Sequence, residues 1–572
     1  APIDENTGLP VPTIALATNG GVSVIKDDGN IVSSAGDSAG LVEYLDNNYI
    51  IITRNNNTGY FAVHNNHFTS GSWNANANSY YSATIPVFNQ SGYINGLAAS
   101  ENGYFGNNIG VHIYDALSSS ATNTNGLFSN ITTSYNTGWM VGDIKGAFLS
   151  DTDTTNAIEY VQNGYFNNDV SSWTIGTTGT TATLNANRLL ITAPSSGASW
   201  GYVYQGITTE IGKTYKISLH YDRGTVDGRV NVRNDSTNTV SGSLFYADLG
   251  SGADGKTYYN TFTATATTTY ILLYAKNTSG GTSAYDAVSV TLEKDRSVNN
   301  RGLNVFGTVT KSAVMPGAEL VSYSGWQSGN YLQSGPNIFS WGTDAFSFMF
   351  WVYPDSAGAA DDQLMGYGDQ TANDGFNIYL NASGSYAHLD CGYLGVTDSF
   401  GASTGNGPLT GMRLISGNWN HCCIVQYDDT IYTYVNGEKY EETWTGSGIN
   451  WDTKWNSPQF VIGNRAGFSS SNNPTNTGTK LALVRVGRGA PRPEQIKKIY
   501  EDEKHMFKDN AACTLYGTSD DVTALAYDEY TGTLHAGTSS GRSDFQGFCR
   551  INNTTTAVTT AISASDGYIA EQ

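Results

Sequence analysis

Three aromatic side chains alternate within one short stretch of the sequence, at Trp200, Tyr202 and Tyr204. Residues two positions apart in a β-strand point to the same face, so the three rings would form a row. The C–H faces of sugar rings pack against aromatic planes, and such a row could therefore line a saccharide groove. The alternative is that the rings fill a hydrophobic core, because a sheet in a sandwich has one buried face and one open face.

A polar row with the same spacing follows at Arg229, Asn231 and Arg233, and a further ring stands at Tyr274 on a later predicted strand. Arg and Asn side chains exchange hydrogen bonds with hydroxyl groups, which complements the packing of rings against a sugar. The predicted glycan-binding residues are therefore Trp200, Tyr202, Tyr204, Arg229, Asn231, Arg233 and Tyr274.

The sequence contains few of the residue patterns that catalytic sites require. Retaining glycoside hydrolysis needs two carboxylates about 5 Å apart. Sandwich glycanases of the laminarinase type supply them from a Glu-x-Asp-x-x-Glu strand, and the sequence between 302 and 500 has no such motif. Only His64 and His67 lie near each other among the eight histidines, and their surroundings lack metal-ligand spacing. His421 suits a core position, and we predict that the chain is not an enzyme.

The net charge of −21 comes without any run of Lys or Arg. Proteins that bind phosphates need clustered cations, so nucleic acid and anionic membranes are poor partners for this chain. The sequence also contains no apolar stretch of about 18 residues, which predicts that no segment inserts into a membrane.

Five cysteines cannot all pair within one chain, and five is a low number for a secreted disulfide scaffold of this length. We therefore predict buried free thiols and folding in a reducing cytosol.

Segments rich in Thr, Val, Tyr and Ile alternate with Gly, Asn, Asp and Ser, which predicts an all-β protein of several domains. Residues 1–155 repeat a strand, a Gly turn and an alternating strand, and residues 511–572 return to this pattern around Thr531-Gly532. The repeats resemble β-propeller blades, which implies one propeller interrupted by inserted domains. Two unrelated β-meanders are the alternative.

Residues 156–297 resemble the jelly-roll carbohydrate-binding modules of the cellulose- and xylan-binding type. The resemblance rests on Asn163-Gly164-Tyr165-Phe166, Trp173, Gly212-Lys213-Thr214-Tyr215-Lys216-Ile217-Ser218 and Asp286-Ala287-Val288-Ser289-Val290. It implies a structural calcium ion bound near Asp286, where Asn167 replaces the family's usual acidic residue.

Residues 302–500 resemble the concanavalin A/laminin-G sandwich. The matching segments are Phe346–Trp351, Trp419-Asn420-His421, Tyr434-Val435-Asn436-Gly437 and Val484-Arg485-Val486. A helix is predicted near 494–508, because Pro493 and Glu494 favour a helix start and Ile496, Ile499 and Tyr500 can share one face.

This combination of repeats and sandwiches resembles structural proteins of tailed bacteriophages, especially marine ones. The resemblance implies a virion tail fibre or spike that folds in the host cytoplasm and forms homo-oligomers. Its implied partners are other virion tail proteins and host-surface glycans. The alternatives are a secreted adhesin at the cell surface and a non-catalytic accessory part of a polysaccharide-degrading enzyme.

Overall fold

The computed structural model contains nine sheets, a few short helical turns and one α-helix in its described part. The described residues are 3, 13–18, 21–35, 39–45, 49–54, 61–65, 79–81, 96–99, 102–115, 126–195, 200–212, 214–276, 279–291, 294–297, 299, 301–335, 337–355, 362–369, 374–383, 386–394, 413–427, 430–443, 458–464 and 477–572. The all-β class predicted from the sequence is confirmed, with two sandwiches lying between meander sheets.

Five antiparallel meanders form the blade-like part of the chain. Their strands are, meander by meander, Ile14–Thr18, Gly21–Ile25 and Ile31–Ala35; Ala39–Leu45, Tyr49–Arg54, Phe61–Asn65 and Ser79–Tyr81; Gly96–Ala99, Asn102–Asn107, Gly110–Asp115, Leu127–Ile131 and Met140–Val141; Val522–Asp528, Thr533–Thr538, Gly541–Gln546 and Cys549–Asn553; and the hairpin Ile562–Ser565 and Tyr568–Glu571.

The first strand of each meander lies next to the first strand of the following one. Contacts between the first strands of successive sheets are also a feature of β-propellers, and the propeller assignment stays a prediction. The third and fourth meanders, which begin at Gly96 and Val522, are neighbours although about four hundred residues separate them. Tyr104 and Tyr527 stack across this junction with ring centroids 5.3 Å apart. The propeller-like part is therefore continuous in space and interrupted only along the chain.

The jelly roll between residues 159 and 291 consists of two five-stranded antiparallel sheets. One, named here the groove sheet, has the strand order Thr174–Ile175, Gly201–Thr208, Thr268–Ala275, Gly228–Arg233 and Ser243–Leu249. The other has the order Thr181–Asn185, Arg188–Thr192, Thr282–Thr291, Thr214–Asp222 and Lys256–Thr263. Apolar side chains from both sheets fill the space between them, including Val203 and Ile271 from the groove sheet and Ile217 and Val290 from the other.

The larger sandwich packs a nine-stranded sheet on a seven-stranded one. The nine-stranded sheet contains Ala157–Ile158, Thr308–Ala313, Val321–Ser324, Lys480–Arg488, Phe346–Tyr353, Asn420–Tyr427, Thr430–Val435 and Glu438–Thr443 in this order, with Asp143–Phe148 paired to Lys480–Arg488. The seven-stranded sheet contains Asn304–Phe306, Tyr331–Gln333, Gln459–Ile462, Asp362–Asp369, Asp374–Ser383, Tyr386–Leu394 and Arg413–Leu414.

Two strands that precede the jelly roll thus belong to this sandwich, although the sequence pattern assigned Asp143–Phe148 to the blade-like part (1–155) and Ala157–Ile158 to the jelly roll (156–297). Asp143–Phe148 finds its hydrogen-bonding partners in Lys480–Arg488, more than three hundred residues later. Ala157–Ile158 pairs with Thr308–Ala313, across the whole jelly roll. The jelly roll is therefore inserted into the sandwich rather than placed before it.

The α-helix, α1, runs from Pro493 to Glu503 and continues into a 3-10 turn at Lys504–Phe507. Gln495 accepts a hydrogen bond from the Arg492 backbone N–H at 3.0 Å, which caps the first turn. Ile496 and Ile499 are buried against the outer face of the nine-stranded sheet, in a cluster that also contains blade residues. The helix predicted near 494–508 is confirmed, and it joins the sandwich to the blades.

Candidate functional site

The seven predicted glycan-binding residues lie on one face of the groove sheet. The register aligns Tyr202 and Arg229 with Tyr274 from opposite sides, and Asn231 with Leu272. Because side chains alternate along a strand, this face is opposite to the one that carries Val203 and Val230 into the core. Trp200, Tyr202, Tyr204 and Tyr274 pack with Leu272 in a separate cluster. These rings therefore lie outside the core between the two sheets, and Tyr202 and Tyr274 form a second buried cluster with Leu272.

Four of the seven residues are nearly inaccessible. The exposed fraction is 6% for Tyr202, 4% for Arg233, 1% for Tyr274 and 0% for Asn231. These four residues form a buried layer that a ligand cannot reach. The more accessible residues of the face, among them Trp200 and Tyr204, pack against this layer.

The segment 234–242 covers the Arg233 end of the face. The Tyr202 hydroxyl donates to the Ser236 carbonyl at 3.0 Å, and Asn231 Nδ2 donates to the Thr239 carbonyl at 2.8 Å. Arg233 donates to the same Thr239 carbonyl, which fixes the segment to the sheet. On the other side, Gly176 lies so close to the Tyr202 ring that a Cβ there would overlap it.

The accessible part of the face begins at Trp200. The Arg229 guanidinium lies 4.3 Å from the Trp200 ring centroid, and Arg229 Nε donates to Asp248 Oδ1 at 2.5 Å. The Tyr274 ring meets Trp200 edge-on at 5.9 Å. A half-buried indole beside a guanidinium held by a carboxylate offers both an apolar plane and hydrogen-bond donors, the combination that sugar recognition uses.

Three residues of this face were missed by the sequence interpretation. Tyr270 is half-buried, lies on the same strand as Tyr274 and contacts Tyr204 at 6.0 Å between ring centroids. The register places Tyr246 opposite Asn231 and Asp248 opposite Arg229, and 48% of Tyr246 is exposed. The even spacing of Tyr270 and Tyr274 in the sequence could have revealed Tyr270. Tyr246 and Asp248 follow only from the strand register.

Two pKa shifts describe the electrostatics of the face. Burial raises the pKa of Tyr274 to about 12, so its hydroxyl stays neutral. Hydrogen bonds from Arg233 and Thr237 hold the pKa of Asp235 well below its usual range, so its carboxylate is ionised. The rings of the buried layer are thus uncharged, and its ion pair is the one between Arg233 and Asp235 at the start of segment 234–242.

The predicted calcium residues, Asp286 and Asn167, line the same cavity at the junction with the sandwich. Asp286 Oδ1 accepts from the Ala287 N–H at 2.7 Å, and burial raises the pKa of Asp286 to about 7. Calcium prefers six to eight oxygen ligands, and the described residues contain no group of three or more His, Cys, Asp or Glu suited to a metal. The fit to calcium is poor, and calcium stays a prediction.

Two features of the sequence that could suggest catalysis, a histidine and a Gly-x-Ser-x-Gly segment, lie where they cannot form a catalytic site. His421 is fully buried against Trp351, with ring centroids 5.3 Å apart, and burial holds its pKa well below the usual range. Gly537-Thr538-Ser539-Ser540-Gly541 has the spacing of a nucleophile elbow but forms a turn between two antiparallel strands. His421 therefore has the core position that the sequence predicts.

No helix in the described part of the chain has the length and apolar character needed to span a membrane.

Residues 327–497 match the family model of the concanavalin A-like lectin/glucanases superfamily. This match covers less than a third of the chain and includes the strands of the larger sandwich from Tyr331–Gln333 to Lys480–Arg488. A search of curated proteins finds no relative.

Solved structures resemble parts of the chain. One described as "CBM4 structure and function" is 22% identical and covers 23% of this chain and 98% of its own, with a TM-score of 0.20. The enzymatically active domain of bacteriophage CBA120 tailspike protein 4 is 20% identical and covers 23% and 21%, with a TM-score of 0.19. Trypanosoma rangeli sialidase in complex with sialic acid is 10% identical and covers 86% and 67%, with a TM-score of 0.26. At these TM-scores the likenesses carry no functional inference.

Proposed function

We propose that this chain is a non-catalytic glycan-binding structural protein, in which the accessible end of the groove sheet holds the saccharide. The observation that carries this proposal is the half-buried Trp200 beside Arg229, with the half-buried Tyr204 and Tyr270 along the same face. Rings would pack on the C–H faces of the sugar, while Arg229 and Asp248 would bind its hydroxyl groups. The match of residues 327–497 to a lectin-containing superfamily supports the same general function.

The finer proposal is a virion tail fibre or spike of a tailed bacteriophage. The blade-like meanders interrupted by two sandwiches support a display role, because residues of the blades and of the larger sandwich share one buried cluster. Free thiols at Cys422, Cys423 and Cys513 support folding in a reducing cytoplasm. Homo-oligomers on a virion would make weak single sites effective through multivalency. A secreted adhesin and an accessory part of a polysaccharide-degrading enzyme are the competing functions.

A glycan array with the full chain tests the binding proposal. We expect signal on a limited set of bacterial-envelope saccharides, and its loss in the Trp200→Ala/Tyr204→Ala double variant. The matched control is Tyr427→Ala, which removes a tyrosine that is 50% exposed on the other sandwich. The absence of any signal, or equal loss in both variants, contradicts binding at the groove sheet.

Two further measurements separate the competing classes. Incubation of the full chain with each bound saccharide, followed by an assay for new reducing ends, is expected to show no cleavage. Antibodies against the chain are expected to label the tails of virions purified from a lysed host culture. Labelling of cell envelopes instead would favour the adhesin, and cleavage would overturn the non-catalytic assignment.

A further inference from the structure

A cavity of about 1010 Å³ lies between the jelly roll and the larger sandwich, remote from the rings of the groove sheet. The jelly roll contributes residues from Tyr165 to Asp286, and the sandwich contributes residues from Phe306 to Gln459. This volume reaches the upper end of the range that ligand sites occupy, about 300–1,000 Å³. The cavity is thus large enough for a small oligosaccharide and exists only because the two domains meet.

One wall of the cavity is an aromatic stack that crosses the domain junction. The ring of Tyr165 lies 4.7 Å from that of Phe306, which in turn stacks on Tyr331 at 4.3 Å with an angle of 10°. Asn304 Nδ2 donates to the Tyr165 hydroxyl at 2.5 Å, and Asn304 Oδ1 accepts from Ser218 at 2.7 Å. These bonds hold the rings from both domains in place, and all three rings are only half-buried.

The rest of the lining is polar and rich in amides. Gln333 donates to Gln459 through their side-chain amides, and Asn299 and Asn337 also face the cavity. Amide groups supply both donors and acceptors, which matches the hydroxyl groups of a sugar. An aromatic wall with amides around it is the same combination of chemistry that the groove sheet presents.

The charges of the lining favour an anionic ligand. Three cations, on Arg188, Lys256 and Arg301, face the cavity with two carboxylates, on Asp222 and Asp286. Arg188 pairs with Asp222, so that carboxylate is already neutralised.

Backbone carbonyls hold the other two cations, since Lys256 Nζ donates to the Gly252 carbonyl at 2.8 Å and Arg301 donates to the Ile338 carbonyl. A carbonyl carries no net charge, so the lining keeps more cations than carboxylates, in a chain whose net charge is −21.

We propose that this cavity is a second saccharide site, specific for an oligosaccharide that carries carboxylate groups, of the uronic acid class. The sugar ring packs on Tyr331, the amides bind its hydroxyls, and Lys256 and Arg301 bind its carboxylates. The site is independent of the one proposed on the groove sheet.

The test is a calorimetric titration of the full chain with an oligogalacturonate and with its methyl ester, which has the same shape without the charge. EDTA is present throughout to exclude bridging metals. The variants are Lys256→Gln and Tyr331→Ala. Lys256 is exposed, so its replacement leaves folding intact, and Lys497→Gln on α1 is the matched control because Lys497 is an exposed lysine outside the cavity. The Trp200→Ala variant shows whether the acidic oligosaccharide binds at the groove sheet instead of in the cavity.

We expect the acidic oligosaccharide to bind at least about tenfold more tightly than its methyl ester. Lys256→Gln and Tyr331→Ala should each weaken its binding about fivefold or more, while Lys497→Gln and Trp200→Ala leave it unchanged. Equal affinity for the two probes, no binding of the acidic probe, or equal effects of Lys256→Gln and Lys497→Gln overturns the cavity proposal. Loss of acidic binding in Trp200→Ala alone also overturns it, and leaves the groove-sheet site standing.

Discussion

Arg485 and Glu503 form a fully buried, bidentate ion pair that joins the central strand of the large sandwich to the end of α1. Both side chains are at most 1% exposed. Glu503 also accepts from the Trp139 backbone N–H at 2.8 Å and from Trp351 Nε1 at 2.7 Å, and Arg485 donates to the Trp139 carbonyl at 2.9 Å. Trp139 belongs to the blade-like part. One ion pair therefore connects three parts of the fold.

Removal of one partner of this pair is expected to be strongly destabilising. Glu503→Ala leaves the Arg485 cation buried without a counter-charge, which costs about 3–5 kcal/mol in comparable pairs. Urea unfolding followed by tryptophan fluorescence measures the loss. Glu501→Ala, at an exposed position on the same helix, is the control and should change stability by less than about 1 kcal/mol. Arg485→Met/Glu503→Leu should recover part of the loss; equal midpoints for Glu503→Ala and Glu501→Ala contradict the role of the pair.

Tyr270 is expected to contribute to saccharide binding although the sequence pattern did not include it. Its ring lies beside Tyr204 on the accessible face, and aromatic contacts of this kind are worth about 0.5–1.5 kcal/mol. Tyr270→Ala should therefore weaken binding of any glycan found on the array by up to about tenfold. Fluorescence titration of the full chain measures this, with Tyr427→Ala unchanged. An unaltered affinity in Tyr270→Ala would remove this residue from the site.

The carboxyl of Glu159 is expected to make stability depend on pH. It accepts from the Ser289 hydroxyl at 2.6 Å and from the Val161 and Val290 N–H groups, and burial raises its pKa to about 8. The folded state thus keeps this proton up to about pH 8, whereas the unfolded chain releases it near 4.5. The contribution of the protonated Glu159 carboxyl to stability is complete below its unfolded pKa of 4.5, and it is lost as the pH rises through its folded pKa of about 8.

Melting curves from about pH 5 to about pH 9 test this sign for Glu159→Gln against the wild type. The Tm of the wild type relative to the variant should fall by several degrees as the pH rises, since 1 kcal/mol corresponds to about 2–4 °C in a domain of this size. Glu210→Gln, at an exposed carboxylate of the jelly roll, should follow the wild type at every pH. A constant difference between Glu159→Gln and the wild type would falsify the assignment.

The described thiols are expected to be unreactive in the folded chain. Cys422, Cys423 and Cys513 are buried, and burial raises the pKa of each above the usual range. The pKa of the half-buried Cys549 is raised to about 11. Alkylation at neutral pH followed by peptide mapping should label none of the three buried thiols without denaturant and all of them in guanidinium chloride. Rapid labelling of Cys422 in the native chain contradicts the structure.

Part of the site could be predicted because strand alternation is a local property. The spacing of Trp200, Tyr202 and Tyr204 was enough to place three rings on one face, and the spacing of Arg229, Asn231 and Arg233 did the same for the polar row. The choice between open face and core needed the second sheet, whose position decides which side is covered. The burial of Tyr202 needed segment 234–242, because the hydrogen bond to Ser236 joins residues 34 positions apart.

The all-β class, the alternating faces of the strands and the α-helix at Pro493–Glu503 follow from local sequence patterns, since each depends on neighbours within a few residues. Packing between distant segments determines that Asp143–Phe148 belongs to the sandwich, that Arg485 meets Glu503, and that Tyr165 contacts Phe306 in the wall of a cavity. These contacts join distant parts of the chain, and their formation depends on which domains pack together rather than on local spacing. The open end of the face around Trp200 combines both kinds of information: alternation placed its rings, and packing determined which of them a ligand can reach.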